Sequence, residues 1–206
     1  MQEKPILFNT EMVIALLENR KTQTRRLIDP QPDSDVPIQK VPQYTELEKD
    51  WGKFCVTTKD GERLLIKPKY EVGDILWVRE TFSKITTPDG KEEFVYRADD
   101  DFYKDNIEGW KGWTPNIYMP IGACRIRIEV SSVKLERVQD ISANDIKAEG
   151  VNYTLDYYPN LMELWERLWV SVKGQESWDR NDYVWAYHFK IKELPEFAKI
   201  KNRFYA

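Results

Sequence analysis

Histidine is almost absent from this chain of 206 residues: His188 is the only one, and Cys55 and Cys124 are the only two cysteines. A zinc site built from spaced Cys and His, or a Ser-His-Asp triad with a choice of bases, therefore has little to draw on. Two cysteines so far apart in sequence make no disulfide scaffold and suit a reducing compartment. Long apolar runs are missing too. Nothing approaches the roughly 18 residues a membrane span needs, and the opening MQEKPILF lacks the apolar stretch of a signal peptide, so a cytoplasmic protein without membrane contact is expected. Nor is there an excess of positive charge. With 31 Lys and Arg against 35 Asp and Glu, the net charge of −4 argues against gripping a long phosphate backbone by bulk electrostatics, though a small or single-site nucleic-acid ligand stays open.

What the chain does have is aromatic volume. Eight Trp, eleven Tyr and eight Phe are interspersed with the charges, enough to bury a core and exclude global disorder. The length suits a single domain over residues 1–206. Asn9 or Thr10 supplies the N-cap of a helix from about Glu11 to Asn19, and Thr22 to Ile28 has the β-branched content of a strand. Lys21 and Thr24 thus fall at a helix-to-strand corner. Between Asp29 and Asp50, Pro30, Pro32, Pro37 and Pro42 exclude a helix interior and read as an inserted loop. Phe54 to Thr57 and Arg63 to Ile66 flank Lys59-Asp60-Gly61 as a hairpin. Strands are expected from Ile75 to Phe82, from Phe94 to Arg97 and around Cys124 to Val130, with an acidic loop at about 98–109.

Ser142 with Asp145 is a capping box opening a short helix that Gly150 stops. Asn160 and Glu163 open another, in which Leu161, Leu164, Trp165, Leu168 and Trp169 form an i, i+3, i+4, i+7, i+8 stripe, a core pattern. A final strand runs from Tyr183 to Ile191 with alternate aromatics on one face. The sum is an α+β chain, mainly β, with about three helices. So many short strands need their edges covered, which points to a partly closed β-barrel.

The densest polar constellation is Arg20-Lys21-Thr22-Gln23-Thr24-Arg25-Arg26. An amine three residues before a hydroxyl at a corner lets the two converge, as an amine-activated nucleophile requires. The same heptad also reads as a basic surface turn. Two acids are candidate partners. Glu80 continues a strand face occupied by Leu76 and Val78, where an acid is unusual unless paired or working, or else sits at the strand rim. Glu149 stands in the last turn of its helix, where the macrodipole disfavours a negative charge; it is either functional or a solvated helix end.

Together RKTQTRR, VGDILWVRETF, YRAD, WTPNIYMP with CRIRIEVSSVKLERVQDIS, AEGV and SWDRNDYVW resemble the ASCH domain superfamily in its phage and prophage branch, over about residues 5–191. Asn19 stands where that family often has Gly. The resemblance implies a β-barrel similar to the RNA-associated PUA domain. Some small ASCH proteins are amidohydrolases that deacetylate N4-acetylcytidine with a Lys, a Thr and a Glu and no metal or other cofactor. By motif, these fall on Lys21, Thr24 and Glu149, with Glu80 as the fallback acid. Arg26, Trp113 and Tyr118 are candidates to stack on or hydrogen-bond a base, since single bases are recognised by aromatic faces and a few fixed donors. Three readings follow: a metal-independent amidohydrolase acting on an acylated cytidine or related modified nucleoside, a non-catalytic reader of a modified base or RNA, and a phage assembly component. The expected partner is a small-molecule nucleoside or a single nucleotide site in RNA.

Overall fold

The longest strands in the molecule, β9 (Arg127–Arg137) and β10 (Tyr183–Glu193), lie side by side and antiparallel, and the rest of the fold is arranged on them. In the computed structural model, the described residues are 3–29, 31, 39–40, 54–57, 63–87, 89–99, 112–152, 160–196 and 198; side chains are described for all of these except residues 39–40, 54–57 and 63–65. The main sheet has five strands in the order β1 (Lys4–Leu7), β6 (Ile75–Arg79), β9, β10, β2 (Gln23–Leu27). β1 pairs with β6 in parallel and every other pairing in this sheet is antiparallel. β3 (Gln39–Lys40), β4 (Phe54–Thr57) and β5 (Arg63–Ile66) form a second sheet, and β7 (Phe82–Thr86) pairs with β8 (Glu92–Tyr96).

The molecule is therefore mixed α/β and mainly sheet, but the expected partial barrel does not form among the described residues. None of the three sheets closes on itself, and β1 and β2 remain the outer strands of the five-stranded one. Side chains and loops satisfy those edges instead. Arg26 of β2 donates from Nη2 to the Leu7 carbonyl of β1 at 2.7 Å, and the Tyr70 hydroxyl donates to the Pro5 carbonyl at 2.7 Å. Four α-helices are described rather than about three: α1 (Thr10–Leu17), α2 (Ala143–Ala148), α3 (Leu161–Lys173) and α4 (Gln175–Asp179). Among the described residues no helix is long and apolar enough to cross a membrane.

Local chemistry explains the elements that frame the site. Asn9 caps α1, its side chain accepting from the Met12 amide at 2.9 Å, and Ser142 caps α2 by accepting from the Asp145 amide at 3.2 Å. Each such cap contributes about 1 kcal/mol. The single strand expected from Ile75 to Phe82 is broken at Glu80 and Thr81, and Phe82 starts β7. Two residues of the Pro-rich segment, Gln39 and Lys40, pair with β4 as a strand. The rest of that segment, apart from Asp29 and Gln31, and the acidic loop beyond Asp99 lie outside the described residues.

Two apolar clusters flank β10. One gathers Val13, Leu16 and Leu17 of α1 with Val78, Ile128, Tyr187 and Phe189; the other gathers Ile146 of α2, Trp165 and Trp169 of α3 with Val184. Because Val184 and Trp185 face opposite clusters, β10 is buried on both sides rather than amphipathic, and β2 beside it runs along the junction of the two.

Candidate functional site

A cavity of about 210 Å³ opens where α1, β2, the end of α2 and α3 meet, and Lys21, Thr24 and Glu149 all line it. Their convergence begins at Lys21, just before β2, which forms an antiparallel bridge with Glu149, the C-cap of α2. The Thr22 amide donates to the Ala148 carbonyl at 2.8 Å beside that bridge, and Arg20 Nη1 donates to the Gly150 carbonyl at 2.9 Å. Asn19 (φ 57°) turns the chain from α1 into this corner through the left-handed region, which asparagine tolerates better than most residues. Gly150 (φ +84°) makes the close approach possible: a Cβ there would stand 2.7 Å from Ala15 Cβ and 3.0 Å from Lys21 Cβ.

Lys21 is 1% exposed, and its Nζ donates to the Glu149 backbone carbonyl at 2.6 Å and to Glu149 Oε2 at 2.9 Å. Glu149 Oε1 accepts from Arg25 Nη1 at 2.8 Å. Arg25 in turn reaches Glu136 at 2.7 Å and Gln23 Oε1 at 3.2 Å, and Gln23 Nε2 donates to Asp145 Oδ1 at 2.5 Å. The carboxylate of Glu149 is thus shared between two buried cations. This is why it tolerates a helix C-terminus, and why neither the solvated-end nor the surface-turn reading describes these residues.

The electrostatics follow from that sharing. Burial pushes the Lys21 amine below its ordinary value, and the charges of Arg26 and Arg25 push the same way; Glu149 opposes them without prevailing. Burial would raise the Glu149 carboxyl, but Lys21 and Arg25 outweigh it and hold the group ionised below the usual carboxylate range. A neutral amine has two N–H bonds, and the two acceptors on Glu149 saturate them, leaving the nitrogen lone pair uncommitted. Thr24 is buried on β2, and among the described residues nothing hydrogen-bonds its hydroxyl. An ionised acid, an amine biased to neutrality and an uncommitted hydroxyl thus face one concavity.

The walls are aromatic. Phe8 lies on one side, with Lys21 Nζ 5.5 Å and the Arg26 guanidinium 5.2 Å from its ring centre. Opposite stand Trp165 and Trp169, with ring centres 5.5 Å apart. Their indole N–H groups donate to the Val138 carbonyl (3.0 Å) and Ser177 Oγ (3.1 Å), which fixes both rings.

Of the candidate base contacts, Arg26 lines the cavity, and Trp113 and Tyr118 do not. Tyr118 is 70% exposed and Trp113 is half-buried elsewhere. In the 3₁₀ turn Asn116–Tyr118 only the first residue turns inward, its side-chain Nδ2 donating to the Phe8 carbonyl at 2.9 Å. Glu80 is also away from the cavity. It is buried, paired through both oxygens with Arg125 at 2.8 Å, and neither a rim residue nor a neighbour of Thr24.

Phe8 and Asn116 line the cavity without any local pattern that marks them, and the Trp165/Trp169 stripe, a core pattern in the sequence, is both core and cavity wall. Alternation along β2 sends Arg25 to the side opposite Thr24 and Arg26, where its guanidinium lies 5.8 Å from the Trp165 ring centre. Among the described residues, no three His, Cys, Asp or Glu side chains are grouped so as to hold a metal ion. Compared with known protein families, with curated proteins and with solved structures, the chain matches none.

Proposed function

We propose that the cavity is the active site of a metal-independent amidohydrolase acting on an N4-acylated cytidine or a related acylated nucleobase, on a PUA-like ASCH scaffold. The observation that carries this reading is the buried Lys21 amine, held by two hydrogen bonds to Glu149 in a cavity that Thr24 also lines. The aromatic walls support a planar heterocycle as ligand. At about 210 Å³ the cavity is smaller than the roughly 300–1,000 Å³ of drug-sized sites, so it suits one base with a short acyl group.

In this reading Lys21 accepts the Thr24 proton as Thr24 Oγ1 attacks the acyl carbonyl. The tetrahedral intermediate collapses with cleavage of the C–N bond. The cytosine amine takes back the proton from Lys21, and the acyl group stays on Thr24 as an ester. Water, deprotonated by Lys21, then attacks the ester; the bond between the acyl carbon and Thr24 Oγ1 breaks, Lys21 returns the proton to Thr24 Oγ1, and the carboxylic acid leaves. Glu149 holds the amine in place throughout and stabilises its transiently charged form. Arg25 keeps Glu149 ionised and positioned.

Incubation with N4-acetylcytidine and other N4-acylcytidines, followed by chromatography for cytidine, tests the reading. Release that is lost in Thr24→Val and in Lys21→Met, both close in volume to the native residue, is the expected result. Unchanged turnover by Thr24→Val refutes the nucleophile. A second reading, a non-catalytic reader of a modified base, draws on the same rigid Phe8, Trp165 and Trp169 walls; nucleoside binding without release from any of these substrates would favour it.

A further inference from the structure

The gap that keeps the five-stranded sheet from closing is itself a cavity. It measures about 700 Å³, lies between β1 and β2, and shares Leu7 and Arg26 with the first cavity. Among the described residues its walls carry Lys4, Arg26, Lys67, Lys69 and Arg79 against two acids, Asp29 and Glu71. Lys4 is neutralised by Asp74 at 2.5 Å. The other four cations form no ion pair with any described residue, whereas Arg25, Arg125, Arg127 and Arg180 are all paired. Arg79 is held over Trp77 and donates from Nη2 to the Ile117 carbonyl, yet its Nε is buried with no hydrogen-bond partner. Among the described residues this gap therefore carries an excess of positive charge, the character of a site for an anion.

We propose that this gap holds the phosphate of a nucleotide whose base occupies the first cavity. The inference rests on the reading of that first cavity as a base site and specifies its substrate class: a phosphorylated nucleoside rather than a free one. Thr24 and Arg26 point to the same side of β2, about 7 Å apart at two residues' rise. A base beside Thr24 places its ribose over Arg26 and the phosphate beyond it, in the gap. Arg26 spends one N–H on Leu7 and retains others for a phosphate oxygen, and Arg79 Nε supplies a further fixed donor. Lys67 and Lys69, both exposed at the mouth, contribute point charges. The phosphate belongs either to a monoester on a free nucleotide or to a diester within a strand.

Calorimetric titration with cytidine, cytidine 5′-monophosphate and the dinucleotide CpC tests the proposal without requiring turnover. At least one phosphorylated ligand should bind about tenfold or more tightly than cytidine, the effect of one or two hydrogen bonds to a charged group. The preference should shrink in about 1 M salt, where charges are screened beyond about 3 Å. The Lys67→Glu/Lys69→Glu variant, changed at two exposed positions, should lose most of it, and Arg79→Met should lose part. Tighter binding of the monophosphate than of CpC identifies a free nucleotide, and the reverse a strand.

Equal affinity for cytidine and both phosphorylated ligands overturns the phosphate site and leaves the base site standing. A preference untouched by either variant overturns its location. Tight binding of phosphorylated ligands and of inorganic pyrophosphate alike, with no measurable cytidine binding, refutes the base site while supporting the anion site. Binding of none of them overturns both.

Discussion

Gly150→Ala is the substitution that most directly tests how the site is assembled. Replacing glycine by alanine ordinarily stabilises a chain by about 0.4–1 kcal/mol through the unfolded state, provided the backbone is compatible. Here it is not. The residue sits at φ +84°, where an L side chain costs about 1–2 kcal/mol. The new methyl would also stand 2.7 Å from Ala15 Cβ and 3.0 Å from Lys21 Cβ, both on buried residues, and overpacking of that kind costs about 1–3 kcal/mol. The expected loss is therefore about 2–5 kcal/mol, a large part of the stability of an ordinary domain.

Urea unfolding measures it, and Ala15→Gly supplies the control. Removing the Ala15 methyl eliminates the closest contact but not the backbone strain, so Gly150→Ala should cost less in the Ala15→Gly background than in the native one. A loss below about 0.5 kcal/mol, or the same loss in both backgrounds, would refute the claim that close packing of Gly150 on α1 and Lys21 builds the corner. Residual activity should fall by about a hundredfold even where the protein stays folded, because a displacement of about 1 Å at Lys21 spoils alignment with Thr24.

Other outcomes follow from the same geometry. Since Lys21 must be neutral to accept a proton and its pKa is held below the ordinary 10.5, kcat/KM should rise with pH and level off at a midpoint below 10.5. Arg25→Gln removes a neighbouring positive charge and should move that midpoint to higher pH; a midpoint that stays put or falls would contradict the assigned electrostatics. Glu80→Gln weakens the charged hydrogen bonds to Arg125, which keeps Asp99 as a partner at 2.6 Å, and should cost about 1.5–3 kcal/mol in denaturant unfolding, with kcat per folded molecule unchanged because Glu80 does not line the cavity. Ser142→Ala should cost about 1 kcal/mol by removing the cap of α2, and a thermal melt compared with wild type reads this directly.

Much of the scaffold is legible in the chain because it is set by local chemistry. Asn9, Ser142 and Asn160 each cap the helix expected to follow, since a short polar side chain reaches only its own next amides. The antiparallel pairing of Phe54–Thr57 with Arg63–Ile66 is in place as well, while the turn expected at Lys59-Asp60-Gly61 lies outside the described residues. Strand Ile75–Arg79 was foreseen, but not its end. The strand ends at Arg79, and the Glu80 that follows is buried against Arg125, a partner 45 residues away that no local pattern reveals.

The candidate site divides in the same manner. Lys21 and Thr24 are neighbours on one corner, and their proximity is a property of the sequence. That Glu149 joins them across 128 residues, that Arg25 shares its carboxylate, and that Trp165 and Trp169 show one side to a cavity while serving the core are products of packing. Trp113 and Tyr118 show the converse, for aromatic character names a possible base contact but only the direction of the Asn116–Tyr118 turn decides which residue faces inward. The sequence by itself determined the caps, the turns and the residues able to do chemistry, because these depend on interactions within a few bonds. Only the tertiary structure decided which of them meet and whether the described sheets close, because burial and Coulomb interactions act through space between elements that the chain keeps far apart.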